Sequence, residues 1–173
     1  MFKHILVPSD GSEPSSNALD LAIELAKTCG SRLSLVHAIH RGVSLEALRH
    51  IAERHGFLDQ IEDDLSNPDV IVPVATPATG VPIIVVPDAL LAKAGTLLLE
   101  RMAARVRAAG LDDAATQLLD GDPATEILRY AEESAVDLIV SGSRGLGGLK
   151  GLFLGSVSHK LIEGAPCPCL VVK

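Results

Sequence analysis

The sequence predicts an α/β domain, an open and mainly parallel sheet of five strands with helices on both faces. Three observations carry that prediction. Short apolar runs such as Ile5-Leu6-Val7 and Leu138-Ile139-Val140 are greasy throughout, as strands covered on both faces are. These runs alternate with stretches of helical periodicity, the rhythm of βαβ units. A length of 173 residues with 47% hydrophobic content suits one domain with a substantial core.

Taken in order, Ile5-Leu6-Val7 is a first strand ended by Pro8. Ser9-Asp10-Gly11-Ser12 has turn and N-cap chemistry. Ser15 to Cys29 then carries helical spacing through Ala18, Leu19, Ala22, Ile23 and Ala26, stopped by Gly30. Leu33 to Ile39 is the second strand, which completes a right-handed βαβ crossover. Asp88 to Ala109 is a long amphipathic helix closed by Gly110, and Thr116 to Leu119 is a short strand. Asp122-Pro123 opens a helix to about Ser134, with proline at the favoured first position. Leu138-Ile139-Val140 is followed by a glycine-rich stretch from Gly142 to Gly155. A helix from Ser156 to Ile162 and a last strand, Cys169 to Val172, complete the count.

Residues 41 to 87 break this rhythm. Ser44 to Asp64 reads as one extra helix weakened in its middle by Gly56. Between Pro68 and Pro87, closely spaced prolines exclude a helix and a central strand. They leave an edge hairpin or extended arm able to cover the sheet end as a lid, or a mobile proline-rich loop.

Composition narrows the function. Aromatic residues are 2% of the chain, with no Trp, so platforms for stacking single-stranded bases are lacking. A net charge of −7 argues against a phosphate-backbone binder, and no nucleic-acid partner is expected. No apolar run approaches the ~20 residues of a membrane span, so no membrane insertion is expected. Met1-Phe2-Lys3-His4 leads straight into a strand rather than a secretory signal. Three cysteines, Cys29, Cys167 and Cys169, are too sparse for a disulfide framework. The expected location is the cytoplasm.

The most informative segment is the one from Ser141 to Ser158. It follows a strand and precedes a helix, and its glycines let backbone N–H groups approach an anion beside a helix N-terminus. The hydroxyls of Ser156 and Ser158 are available as donors to phosphate. It lacks the Gly-Lys-Ser/Thr of a Walker loop and the Gly-x-Gly-x-x-Gly placement of a dinucleotide fold. The alternative is a flexible surface loop.

Gly142, two residues, Gly145, nine residues, then Gly155-Ser156 resembles the nucleotide-binding signature of the universal stress protein family. Further landmarks agree: Ile5 to Ser12, Leu35-Val36-His37-Ala38, Gly121-Asp122-Pro123, Asp137 to Ser143, and Pro168 to Val172. The resemblance covers everything except about 41–87, which reads as an insertion in a single family domain spanning 1–173. It implies the adenine nucleotide alpha hydrolase-like fold, with strand order 3-2-1-4-5 and a ligand crevice where the first and fourth strands diverge.

In the ATP-binding branch, the resemblance places Asp10 and the backbone of Ala38 around the adenosine, with Pro8 and Ser9 also among the nucleotide-binding residues. Gly142, Ser143, Arg144, Gly145, Gly155, Ser156, Val157 and Ser158 line the ribose and phosphates. The implied ligand is ATP, or ADP or AMP, with Mg or Mn on the phosphates. Substituting Gly142 or Gly155 by valine is then expected to abolish binding and spare the fold. Asp10 also fits the role of a helix cap. Arg144 and Lys150 either approach phosphate or solubilise the loop. His37 reads as a packed histidine, the spacing of His50 and His55 is poor for metal, and Cys167 and Cys169 read as inert thiols.

The family implies a regulatory nucleotide-binding homodimer in stress response, pairing through Leu170-Val171-Val172, with an unidentified protein partner. The alternatives are a nucleotide-free dimeric interaction protein or a slow ATP hydrolase. No catalytic residue is assigned. The Ser-Gly-Gly-x-Asp-Ser loop of ATP pyrophosphatases and the His-x-Gly-His of nucleotidyl transferases are both missing.

Overall fold

A computed structural model describes residues 2–39, 41–67, 73–75, 82–112, 114–146 and 154–173. Five parallel strands make the main sheet: β1 (His4–Pro8), β2 (Arg32–Ala38), β5 (Ala115–Leu119), β6 (Leu138–Gly142) and β7 (Cys169–Val172). Their spatial order, β5-β2-β1-β6-β7, is the expected 3-2-1-4-5 once only these five are numbered. The central strands β1 and β6 are buried along their whole length, which is why their sequences show no alternation.

Helices α1 (Glu13–Cys29) and α4 (Asp88–Ala108) cover one face, and α5 (Pro123–Glu133) and α6 (Ser156–Gly164) the other. The α1 boundaries follow from local chemistry. Ser12 is the N-cap, its Oγ accepting from Ser15 N, and Gly30 closes the helix at φ 67°. Asp122 caps α5 in the same way, with Pro123 in the first turn.

Residues 41–67 depart from expectation. Instead of one weakened helix, α2 (Leu45–His55) stops at Gly56, a left-handed C-cap at φ 69°. A 3-10 turn over Leu58–Gln60 and a short α3 (Glu62–Ser66) follow. The glycine ends the helix because only its φ > 0 lets the cap N–H reach back to the Ala52 and Glu53 carbonyls. The buried Leu48, Ile51, Phe57, Ile61 and Leu65 join the core under α1 and α4.

Strands β3 (Pro73–Ala75) and β4 (Pro82–Ile84) pair antiparallel as a separate two-stranded sheet. They do not extend an edge of the main sheet, so the edge-hairpin expectation is corrected to a hairpin that forms a sheet of its own. Residues 68–72 and 76–81 of the proline-rich arm lie outside the described residues. No described helix is long and apolar enough to cross a membrane.

Candidate functional site

The crevice arises from unequal strand pairing. β1 pairs with β2 as far as Pro8–Val36, but with β6 only through Ile5–Leu138 and Leu6–Ile139. The amide of Ser9 points at β2, donating to Val36 O at 2.9 Å. Alternation along the strand means that Pro8 lacks the very N–H that would face β6. Meanwhile β6 continues beside β7 to the Gly142–Val172 pair. The strands therefore part beyond Leu6, the switch point where open α/β sheets take ligands. On the other side, Val36 O faces β1, so the carbonyl of Ala38, two residues on, points into the space beyond Pro8.

Two segments about 130 residues apart meet over this gap. Asp10 Oδ1 accepts from Ser12 N at 3.0 Å, and Oδ2 accepts from Leu146 N at 3.0 Å. Ser12 Oγ donates to Arg144 O at 3.3 Å. Asp10 thus ties the two loops together, while the α1 cap is Ser12. A Cβ on Gly145 would collide with Asp10 Oδ2, so this closure requires glycine. Gly11, at φ 81°, is equally constrained: a Cβ there would meet Ile51 Cγ2 of α2 at 2.7 Å.

The first turn of α6 is fastened to the end of β6. Gly155 N donates to Ser143 O at 2.7 Å, and Ser158 Oγ donates to Gly142 O at 2.7 Å. Gly155 is an N-cap without a side chain, and the N–H groups of Ser156, Val157 and Ser158 bond to no described residue. That makes a positive helix end whose first-turn donors no described residue takes. Ser158 has spent its only hydroxyl proton on Gly142, so its expected donation to phosphate is withdrawn; Ser156 stays exposed.

Other expected residues have internal duties. Ser15 Oγ donates to Ser12 O, so the proton between Ser9 Oγ and Ser15 Oγ, 2.9 Å apart, comes from Ser9. Ser9 Oγ also accepts from Gly11 N, and Ser9 O accepts from His37 Nδ1 at 2.8 Å. Ser9 therefore shapes the loop, and His37 is packed as expected. Buried Ser143 gives its N–H to Val172 O. Arg144 is exposed; Lys150 lies outside the described residues.

Gly142 corrects a second expectation. A Cβ there would lie 2.7 Å from Ser15 N and 2.8 Å from Pro14 C, in the backbone of α1. This glycine is required for α1 to pack on β6, so a valine does not spare the fold. At Gly155 the nearest atom is 3.5 Å away, ordinary contact distance.

Three features had weak sequence signals or none. Ser141 Oγ, level with Pro8, is buried with no hydrogen-bond partner among the described residues. Leu146 contributes a backbone donor, which residue type does not reveal. Ile51 and His55 of α2 reach the Gly11 turn, His55 Nε2 donating to Gly11 O at 3.0 Å. Between Asp10, His37, Ile51, Gly95 and Leu146 remains a cavity of about 30 Å³, room for a water. Cys167 and Cys169 are free thiols pushed up from their ordinary pKa, chiefly by burial.

The family model described as the universal stress protein family matches residues 1–173. Universal stress protein YxiE of Bacillus subtilis (strain 168) is 35% identical over 177 residues, covering 100% of each chain. A solved universal stress protein in complex with cAMP superposes with a TM-score of 0.60 at 20% identity, covering 99% of this chain and 97% of its own. The universal stress protein from Archaeoglobus fulgidus in complex with dAMP gives 0.60 at 16%, covering 100% and 98%. At those identities the structures show the shared fold, while the family match and the curated relative carry the assignment: the chain belongs to the universal stress protein family.

Proposed function

We propose that the chain is an adenine-nucleotide-binding regulatory protein whose ligand occupies the crevice between β1 and β6. The observation that carries this reading is the α6 N-terminus, held at the end of β6 with amides of Ser156, Val157 and Ser158 that no described residue accepts. Such a terminus suits phosphate. The two structural relatives complexed with cAMP and dAMP support an adenine nucleotide as the class.

In this reading the phosphates lie on the first turn of α6, with the exposed Arg144 in reach and Gly155 keeping the approach clear. The Ala38 carbonyl and Asp10 border the adenosine. ATP is the preferred ligand, ADP and AMP the alternatives. Mg or Mn would ride on the phosphates, because both Asp10 oxygens already accept backbone amides. A base is larger than the 30 Å³ cavity, so it enters by displacing Leu146, half-buried and tethered through its amide to Asp10.

Calorimetry with ATP and Mg tests the site. We expect micromolar binding to the unmodified chain and at least a tenfold loss in Gly155→Val, whose Cβ fits but whose methyls fill the phosphate approach. Equal affinity in both proteins sinks the assignment. The narrow cavity favours one competing reading, a nucleotide-free interaction protein; mass spectrometry of co-purifying nucleotide separates the two.

The same reading includes a homodimer through β7. Pro168 and Val172 carbonyls accept from β6, so the Val171 N–H points outward from the sheet edge. Exposed Leu170 and, on α6, Ile162 add apolar surface on this side. Light scattering should find a dimer that Val171→Pro converts to monomer; an unmodified monomer overturns it.

A further inference from the structure

Farther along the seam between α2 and α4, away from the crevice, lies a second cavity of about 540 Å³. It is lined by Arg54 and His55 of α2, Arg101 and Arg105 of α4, and Ser16 of α1. Arg101 and Arg105 stand four residues apart and share one stripe of α4. The exposed Ala104 and Ala108 form the neighbouring stripe, and their small side chains leave the space open. In a chain of net charge −7 this concentration of guanidiniums is not a by-product of general basicity.

The local charge balance is positive. Arg54 approaches Glu13 Oε2 at 3.6 Å, too long for a hydrogen bond, and Arg105 pairs with Asp20. Arg101 donates to the Gly56 carbonyl at 3.1 Å and meets no carboxylate among the described residues. Three guanidiniums thus face two carboxylates. His55 lines the same space: burial lowers its pKa, with Arg105 and Arg54 adding to it against the Gly11 carbonyl and Asp10, which raise it.

We propose that this cavity is an oxyanion site for a phosphate-bearing small molecule, whose phosphoryl oxygens are gripped by Arg54, Arg101 and Arg105 with Ser16 Oγ as a further donor. Guanidinium forks match phosphoryl oxygens in pairs, and the space, open to solvent on one side, has room for a small phosphate-bearing molecule. The site is separate from the crevice and does not depend on nucleotide binding there. One side chain joins them, since His55 touches the Gly11 carbonyl next to Asp10.

The probe is sodium tripolyphosphate, titrated calorimetrically into the full chain in phosphate-free buffer. We expect binding that weakens about tenfold in Arg101→Gln, which breaks no ion pair among the described residues, and that persists in Gly155→Val, where only the crevice is filled. On adding tripolyphosphate, the NMR titration of the His55 ring proton, assigned by its disappearance in His55→Gln, should move to higher pH in the unmodified protein. That readout stands even if a variant folds poorly. Absence of binding, binding lost in Gly155→Val but kept in Arg101→Gln, or an unmoved His55 titration would overturn the proposal. A poly-glutamate peptide that shifts His55 where tripolyphosphate does not would overturn it in favour of an acidic protein partner.

Discussion

The two faces of the sheet are built to different depths. Over one face, α5 and α6 form a single layer on Leu6, Val36, Leu119 and Ile139, into which α6 packs Leu161, with a polar cluster at its edge. In that cluster His4 Nε2 lies 2.7 Å from Ser34 Oγ, which also accepts from Tyr130 at 3.1 Å. Over the other face, α1 and α4 carry a second layer made by residues 41–67, and the two layers share one apolar core. The thin face ends in an exposed strand edge. The thick face covers the Gly11 turn with Ile51 and His55 and shapes the basic cavity. Residues 41–67 lie outside the sheet order and shape what surrounds the crevice.

The largest expected effect breaks the thick face at its contact with the sheet. Gly142→Val drives a side chain into the α1 backbone and should cost upwards of about 3 kcal/mol, enough to unfold a marginal domain. Gly155→Ala should cost under about 1 kcal/mol. Thermal unfolding of both variants checks the contrast, and equal melting temperatures would contradict it.

Next comes a comparison of depth. Phe57, 1% exposed, belongs to the second layer of the thick face, and Leu161, equally buried, to the thin face. Phe57→Ala should lose about 3–5 kcal/mol and Leu161→Ala about 2–5 kcal/mol in urea unfolding. A loss below about 1 kcal/mol for Phe57→Ala would mean that residues 41–67 lie on the core without belonging to it.

The smallest effect is pH-dependent and has one histidine on each face. Burial lowers the pKa of His4, with Arg32 adding to it against the Ser134 carbonyl and Asp137. Burial likewise lowers His55. Both native rings resist protonation, whereas the unfolded chain takes up protons near the ordinary 6.5. Their stabilisation is therefore complete above about pH 6.5 and is lost as pH falls below it toward the native values. A drop of order 1 kcal/mol between pH 7.5 and 5.5 is expected. His55→Gln, which keeps a donor for Gly11 but does not titrate, should remove its share. A flat profile would show both rings free to protonate in the native state.

How far the sequence reached depended on how local the determining physics is. Helix limits at Ser12, Gly30 and Asp122-Pro123 were legible because caps are satisfied within a few residues. Strands β1 and β6 were legible from apolar runs, and the family landmarks supplied the sheet order. Gly56 was visible but misread as a weak point, since its role as a stop depends on the backbone turn taken there. Asp10 and Gly145 were marked, yet their mutual closure, and the choice of Ser12 over Asp10 as the α1 cap, needed both loops in one place.

Composition and spacing by themselves determined the class of fold, the family and the glycine-rich segment that leads into α6, because each rests on patterns written along the chain. Only the tertiary structure decided what the glycines are for, Gly142 serving the α1 packing and Gly145 the Asp10 closure. It alone committed the Ser158 proton to a carbonyl and gathered Arg54, Arg101, Arg105 and His55 around one cavity. Those outcomes depend on distances between segments far apart in sequence, and the pairing of strands and stacking of helices set such distances.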